Sequence, residues 1–147
     1  MEIKLIKTNK KQYLDLLLLA DEQEDMIDKY LERGDLFALY DSGLKSVCVV
    51  TNDNGEVEIQ NLATYEEYQR QGYGRHLMNY VCDYYKKDCK TICVGTGESR
   101  ITIPFYESCG FVISHRISNY FTDHYDEPMY EDGVQLVDKI YLKFKDE

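Results

Sequence analysis

The chain has 147 residues and a mass of 17.3 kDa, which is the size of one ordinary domain. It carries 17 Lys and Arg against 27 Asp and Glu, so its net charge is −10 and a polyanion such as DNA would be repelled. Hydrophobic residues make up 44% and charged residues 30%, a mix typical of globular proteins. We therefore expect a single domain over residues 1–147 with no nucleic-acid partner.

The cysteines and the apolar runs of the sequence indicate the cellular compartment of the protein. The count of five cysteines is odd and no CxxC occurs, so neither a disulfide framework nor a zinc site is predicted. Thiols in such a chain are typical of a reducing cytoplasm. The dense apolar run from Leu16 to Ala20 is far too short to span a bilayer, and the first residues lack the order of a signal peptide. We expect a cytoplasmic protein with no membrane partner and no metal.

The first half of the chain alternates between strand and helix patterns. Alternation predicts a strand over 2–7, and apolar residues at helical spacing predict two helical pieces from Asn9 to about Leu31. Three predicted strands follow, separated by turns rich in Asp, Asn and Gly: Leu36–Tyr40, Leu44–Thr51 and Val57–Thr64. The last of these is the best candidate for a central strand.

The second half continues in the same way. An apolar stripe predicts a helix over 72–86, and a β-branched run predicts a buried strand over Thr91–Val94. A short helix over Ile101–Ser108 precedes Gly110, and the two final strands are Phe111–Ile117 and Val134–Phe144, joined by an acidic, aromatic loop. This order of elements predicts an α/β sandwich, in which helices cover a mixed sheet.

A glycine-containing turn carries the strongest functional signal. Residues 69–75 read Gln-Arg-Gln-Gly-Tyr-Gly-Arg, and they follow a predicted strand and open a predicted helix. Glycines there let a ligand approach the backbone, and the free N–H groups of a helix's first turn suit a phosphate. A dinucleotide fingerprint would need Gly or Ala at Leu77, and the Gly-Lys-Ser/Thr of a P-loop is absent.

Three segments together resemble the GNAT family of N-acetyltransferases. Gln69-x-x-Gly72-x-Gly74 matches the family's Gln/Arg-x-x-Gly-x-Gly/Ala signature, Val57–Thr64 resembles the preceding strand, and Pro104–Phe111 resembles the later Phe-Tyr-x-x-x-Gly-Phe segment. The resemblance covers roughly residues 35–115. It implies the GNAT fold, with a mixed, mostly antiparallel central sheet of about six to seven strands. This sheet is splayed at the cofactor cleft and is flanked by about four helices.

The resemblance also implies that acetyl-CoA binds as the acyl donor. The backbone of the predicted central strand would pair with the pantetheine arm at Leu62, Ala63 and Thr64. The turn would hold the pyrophosphate through its amides, with Gln69 fixing the loop; these residues are Arg70, Gln71, Gly72, Tyr73, Gly74 and Arg75. Many members carry an asparagine after the next strand, whereas this chain has Gly97-Glu98-Ser99, which leaves that contact to Ser99 or to water.

Two residues are candidates for proton transfer. Tyr106 matches the tyrosine that the family places beside the sulfur of the cofactor, where a donor would serve the leaving thiolate. Glu58 is the candidate base, because it lies eleven positions before Gln69, a spacing that resembles histone-type members. Strand alternation predicts that Glu58 faces the cleft together with Gln60 and Leu62. The rival bases lie in the late loop and are Asp123, His124 and Glu131.

The sequence thus predicts an acetyl-CoA-dependent N-acetyltransferase that acts on a primary amine by direct attack in a ternary complex. Two alternatives stay open: a different acyl group transferred from CoA, and a non-catalytic domain that only binds acyl-CoA. The acceptor can be a small-molecule or a peptide amine, and its pocket is expected from residues 12–35 and 119–133. The last two strands are a candidate edge for a homodimer.

Overall fold

The computed structural model describes residues 1–145 as nine strands and five α-helices. The strands are β1 Glu2–Ile6, β2 Asp35–Tyr40, β3 Leu44–Asp53, β4 Glu56–Thr64, β5 Thr91–Gly97, β6 Phe111–Ile117, β7 Tyr130–Glu131, β8 Val134–Gln135 and β9 Lys139–Phe144. The helices are α1 Leu14–Ala20, α2 Glu24–Asp28, α3 Tyr73–Tyr85, α4 Thr102–Ser108 and α5 Tyr120–His124, and short 3-10 turns cover Lys10–Tyr13 and Glu66–Tyr68.

Seven strands form one sheet in the order β1-β2-β3-β4-β5-β9-β6, and only β4 and β5 run parallel. Helices α3 and α4 cover one face, where their apolar residues join a core cluster with β3 and β4. Helices α1 and α2 cover the other face through a second cluster. The predicted α/β fold with a mixed, mostly antiparallel sheet is therefore confirmed.

The parallel pair β4–β5 separates part of the way along its length. Glu56–Ile59 pair with Thr91–Val94, and the two strands then diverge. Beyond that point β4 continues to Thr64 against β3, and β5 continues to Gly97 against β9. The sheet thus stays continuous on both outer sides while a gap opens in its middle.

A β-bulge in β4 breaks the alternation that the sequence predicted. The register with β3 shifts between Val49 and Val50, which leaves Gln60 without a partner of its own. Leu62 therefore packs with the α3 cluster, on the side of Ile59, while Glu58 is on the opposite side of the strand. The expectation that Glu58, Gln60 and Leu62 share one face was wrong for Leu62, since a bulge adds a residue that period-two counting cannot see.

The C-terminal part also differs from its prediction. The last strand does not run unbroken over Val134–Phe144, because Leu136 to Asp138 separate β8 from β9. Asp132 and Gly133 adopt positive φ angles of 51° and 75°, so the chain turns back and pairs β7 with β8. The predicted loop therefore contains α5 and this hairpin, which both lie beside the gap.

A buried lysine fixes the segment that follows α2. Its ammonium group donates to three backbone carbonyls, those of Leu31 at 3.2 Å, Glu32 at 3.0 Å and Gly34 at 2.6 Å. Lys10 is 6% exposed, so these bonds satisfy carbonyls that end a helical stretch away from water. The wall formed by α1 and α2 is thereby tied to the start of β2.

We expect Lys10→Met to lower the free energy of unfolding by about 2–3 kcal/mol, because hydrogen bonds to a charged group are lost and buried carbonyls stay unpaired. The measurement is denaturant unfolding. The matched control is Lys11→Met, since Lys11 is exposed and pairs only with surface carboxylates. Equal effects of the two substitutions would contradict this account of Lys10.

Candidate active site

The gap between β4 and β5 opens into a cleft of about 600 Å³. Its walls come from both separated strands, from α1 and the residues after it, and from the segment between α5 and β9. It is lined by Glu58, Leu62, Ala63, Thr64, Gln69, Tyr106 and Glu131, among others. The cleft thus brings together candidates from four distant parts of the sequence.

The glycine turn lies where β4 leads into α3. Gly72 precedes the helix with φ 90°, in the left-handed region that glycine tolerates, and Arg70 also has a positive φ of 64°. The first bond into the helix runs from the His76 N–H to the Gly72 carbonyl, at 2.9 Å. None of the amides from residue 70 to residue 75 donates to a backbone carbonyl within residues 1–145. These free N–H groups, with the positive end of the α3 dipole, form a site suited to an anion.

Side chains around the turn hold it in place. Gln69 donates from its amide to the Thr64 carbonyl at 3.1 Å, which ties the turn to the end of β4. Arg75 donates to the Ser108 carbonyl at 3.2 Å, so its guanidinium bridges α3 to the end of α4. The turn is thus anchored on both sides, and Arg75 has a structural partner of its own.

Leu62, Ala63 and Thr64 form the end of β4 that β5 has left. On their other side they pair with β3. The Ser46 hydroxyl donates to the Ala63 carbonyl at 2.9 Å and lies 2.9 Å from the Thr64 hydroxyl. These contacts fix the strand end where it faces the cleft, as an edge to which an extended ligand can add.

Tyr106 reaches the cleft from α4. The helix begins at a cap made by the Ser99 hydroxyl, which accepts from the Ile101 and Thr102 amides at 3.0 and 3.2 Å. The Tyr106 ring is 8% exposed and packs edge-on against Phe111, with centroids 5.8 Å apart. Burial raises the pKa of the Tyr106 hydroxyl above its usual range, so the group keeps its proton at neutral pH.

Glu58 lines the cleft from the part of β4 that still pairs with β5. One carboxylate oxygen, Oε2, accepts a hydrogen bond from the Tyr141 hydroxyl at 3.1 Å. Burial, followed by the charge of Glu58, raises the pKa of Tyr141, so this tyrosine stays a donor. Of the rival bases, Glu131 lines the cleft, whereas Asp123 and His124 are outside its lining.

A polar network that the sequence analysis missed forms the wall beside Glu58. Both oxygens of Asp21 accept hydrogen bonds, from Tyr30 at 3.0 Å and from Tyr125 at 2.7 Å. Asn61 donates to the Tyr30 hydroxyl and to the Leu17 carbonyl, both at 3.0 Å. Burial raises the pKa of the Asp21 carboxyl, although the two tyrosine hydroxyls oppose the rise.

Lys139, at the start of β9, also extends into the cleft. Its ammonium nitrogen lies 4.3 Å from the ring centre of Tyr120 and 5.0 Å from that of Tyr141. Burial lowers the pKa of Lys139, while the nearby carboxylates of Glu58 and Asp21 act in the other direction. Its side chain crosses β5 at Gly95, where a Cβ atom would come within 2.2 Å of the Lys139 Cε.

No pattern in the sequence distinguishes these residues. Asp21 lies in a run of acidic residues, and Lys139 is one of two lysines in a predicted strand. Gly95 was predicted to bound the strand Thr91–Val94, but it lies inside β5, where a glycine indicates a close approach by another group. The identity of that group depends on which strand pairs with β5.

Comparisons with known proteins agree with this geometry. Residues 32–113 match the model of the acetyltransferase (GNAT) domain family. An uncharacterized N-acetyltransferase of Bacillus subtilis (strain 168), YvbK, is 39% identical over 140 residues, which are 92% of this chain and 90% of the relative.

Two solved structures show the same fold over nearly the whole chain. A Bacillus subtilis acetyltransferase in complex with CoA is 36% identical, with a TM-score of 0.88 and 97% of each chain covered. A GNAT family acetyltransferase from Elizabethkingia anophelis with acetyl-CoA bound is 34% identical, with a TM-score of 0.91 and coverage of 98% of this chain and 97% of the other. Within residues 1–145 no helix is long and apolar enough to cross a membrane.

Proposed function

Because the chain belongs to the GNAT acetyltransferase family and is an acetyl-CoA-dependent N-acetyltransferase, we propose a role in acetyl transfer for each candidate residue of its cleft. One observation carries the proposal: the separation of β4 from β5 leaves a single cleft that contains Tyr106, Glu58 and the free edge of β4. Gln69, the first residue of the glycine turn, lines the same cleft.

The donor would lie along the edge of β4. Its pantetheine arm would pair with the backbone of Leu62, Ala63 and Thr64 as an added strand. The amides of residues 70–75, that is Arg70, Gln71, Gly72, Tyr73, Gly74 and Arg75, would hold the pyrophosphate, and Gln69 would keep the turn in position. The bond from Gln69 to Thr64 and the absence of backbone acceptors for these amides within residues 1–145 support this placement.

The reaction needs one base and one acid. The acceptor ammonium would lose a proton to Glu58, directly or through one water, and the free amine would attack the thioester carbonyl. A backbone N–H of β4 would stabilise the tetrahedral oxyanion. As the carbon–sulfur bond breaks, the Tyr106 hydroxyl, which burial keeps protonated at neutral pH, would donate a hydrogen bond or its proton to the leaving thiolate.

The proposal also covers the cellular location and the oligomeric state of the enzyme. We propose that the enzyme works in the cytoplasm, where its five free cysteines would stay reduced. We also propose a homodimer through β6. Support comes from the position of β6 at one end of the sheet and from its exposed apolar residues Val112, Ile113 and Ile117.

The first test concerns the anion site. Gly72→Glu places a carboxylate among the amides, so we expect CoA to bind at least about tenfold more weakly than to Gly72→Gln, a difference of about 1.4 kcal/mol. Both variants carry the same backbone strain, since Gly72 has a positive φ, and they differ only in charge. Calorimetric titration of CoA measures the difference, and equal affinities would remove the turn from the donor site.

The second test concerns the acid. Tyr106→Phe removes a donor used mainly in the transition state, so kcat should fall by roughly tenfold or more, about 1.4 kcal/mol, while KM for acetyl-CoA changes less. Tyr13→Phe is the control, because it removes another buried hydroxyl, one that lies outside the cleft lining and is bonded to Tyr40 at 2.7 Å. Unchanged turnover of the Tyr106 variant would assign this tyrosine to packing.

The third test concerns the base. Glu58→Gln cannot take a proton, so kcat/KM should fall and lose its dependence on acidic pH, while CoA affinity is retained. The comparison is Glu131→Gln, which removes the other candidate carboxylate of the cleft lining. Profiles of kcat/KM against pH decide between them: a wild-type profile for Glu58→Gln, with a flattened one for Glu131→Gln, would transfer the role to Glu131.

A further inference from the structure

The ammonium group of Lys139 lies in the cleft without an anionic partner among residues 1–145. Within residues 1–145 its ammonium group forms neither a hydrogen bond nor an ion pair, and it lies over the faces of Tyr120 and Tyr141. The residue is mostly buried, and a buried charge is costly unless it is paired. Three N–H donors are therefore available to a ligand in the cleft.

Glu58 offers the complementary group. Its Oε2 accepts from Tyr141, but its Oε1 has no partner in the part of the chain that the structure describes. Asp21 differs, since both of its oxygens are already occupied by tyrosine hydroxyls. Beside the gap, the cleft wall therefore has an open carboxylate oxygen at Glu58 and an unpaired ammonium group at Lys139, while Glu22, Glu131 and Lys29 line other parts of the cleft.

These two groups are close enough for their charges to interact, yet within residues 1–145 no ion pair joins them. Each group is held by other contacts. The side chain of Lys139 passes over Gly95, and its ammonium group is held over the Tyr120 ring, while Tyr141 holds the Glu58 carboxylate. A ligand with an amine and a carboxylate a few bonds apart can contact both groups at once.

We propose that the acceptor is an amine of the amino-acid class, whose carboxylate binds Lys139 while its amine is directed to Glu58. This inference rests on the proposed role of Glu58 and deepens it, because it names the chemistry of the acceptor. A polycation such as a polyamine would bring a further positive charge into the cleft that contains Lys139, and would leave the Lys139 ammonium group unpaired.

The test compares matched acceptors that differ only in the carboxylate. Thiol release from acetyl-CoA is measured with the twenty protein amino acids, with their amides and with the corresponding decarboxylated amines. For the best amino acid, we expect kcat/KM at least tenfold above the values for its amide and its decarboxylated amine. Spermidine should be a poor acceptor.

Variants at Lys139 assign the preference to this side chain. Lys139→Met keeps the length but removes the charge, so turnover of the best amino acid should fall at least tenfold while turnover of its amide stays within about twofold. The amide is an internal control, because damage to the base would slow both acceptors equally. Lys143→Met, an exposed lysine on the same strand and outside the cleft lining, should match the wild type.

A binding measurement keeps the test independent of turnover. The N-acetyl derivative of the best amino acid is titrated into the CoA complex of wild type and of Lys139→Met, and the variant should bind it at least tenfold more weakly. CoA titration and thermal melting establish that the variant is folded.

Three outcomes overturn the inference alone: uncarboxylated amines preferred by the wild type, an unchanged preference in Lys139→Met, or equal binding of the N-acetyl derivative. A wild type that binds acetyl-CoA but releases no thiol with any acceptor in the panel contradicts the proposed function, and the inference with it.

Discussion

The separation of two parallel strands is the constraint on which the rest of this molecule depends. β4 and β5 share only four residue pairs before they diverge, and each is held on its outer side, β4 by β3 and β5 by β9. The gap therefore cannot close without loss of those pairings. It exposes backbone polar groups of a central strand, which in an ordinary sheet would be satisfied by a neighbour. An extended donor molecule can take that place, and its position then fixes where the acceptor must enter.

At the acceptor end of the gap, aromatic side chains hold the charged groups of Asp21, Glu58 and Lys139 apart from one another. Asp21 is surrounded by tyrosine hydroxyls, and burial favours its protonated form. Lys139 lies over aromatic rings that attract a cation without neutralising it. Glu58 keeps one free oxygen beside a tyrosine donor. The aromatic residues thus keep the Lys139 ammonium group and the Glu58 carboxylate from forming an ion pair with each other. Both groups can therefore contact a substrate.

Predictions from hydrophobic alternation were wrong at two places, where a β-bulge or a turn with positive φ angles interrupts a predicted strand. Period-two counting placed Leu62 with Glu58, but the bulge at Gln60 reverses the alternation, so the two residues belong to opposite faces and still meet at the same cleft. Continuous alternation over Val134–Phe144 suggested one strand, yet positive φ angles at Asp132 and Gly133 form a hairpin first. In each case a local backbone conformation, which the hydrophobic pattern does not reveal, determines the strand's course.

The sequence by itself determined the family and the order of elements as far as β6, because the glycine turn, the strand before it and the Tyr106 segment are local patterns with fixed spacing. It also determined the sheet class, since hydrophobic periodicity reports which residues are buried. Only the tertiary structure decided the chemistry of the acceptor end. Asp21, Glu58, Tyr125 and Lys139 are up to 118 positions apart, and they meet because β9 inserts between β5 and β6 and carries Lys139 across Gly95. Such a meeting depends on strand order, which long-range packing sets and no local pattern records.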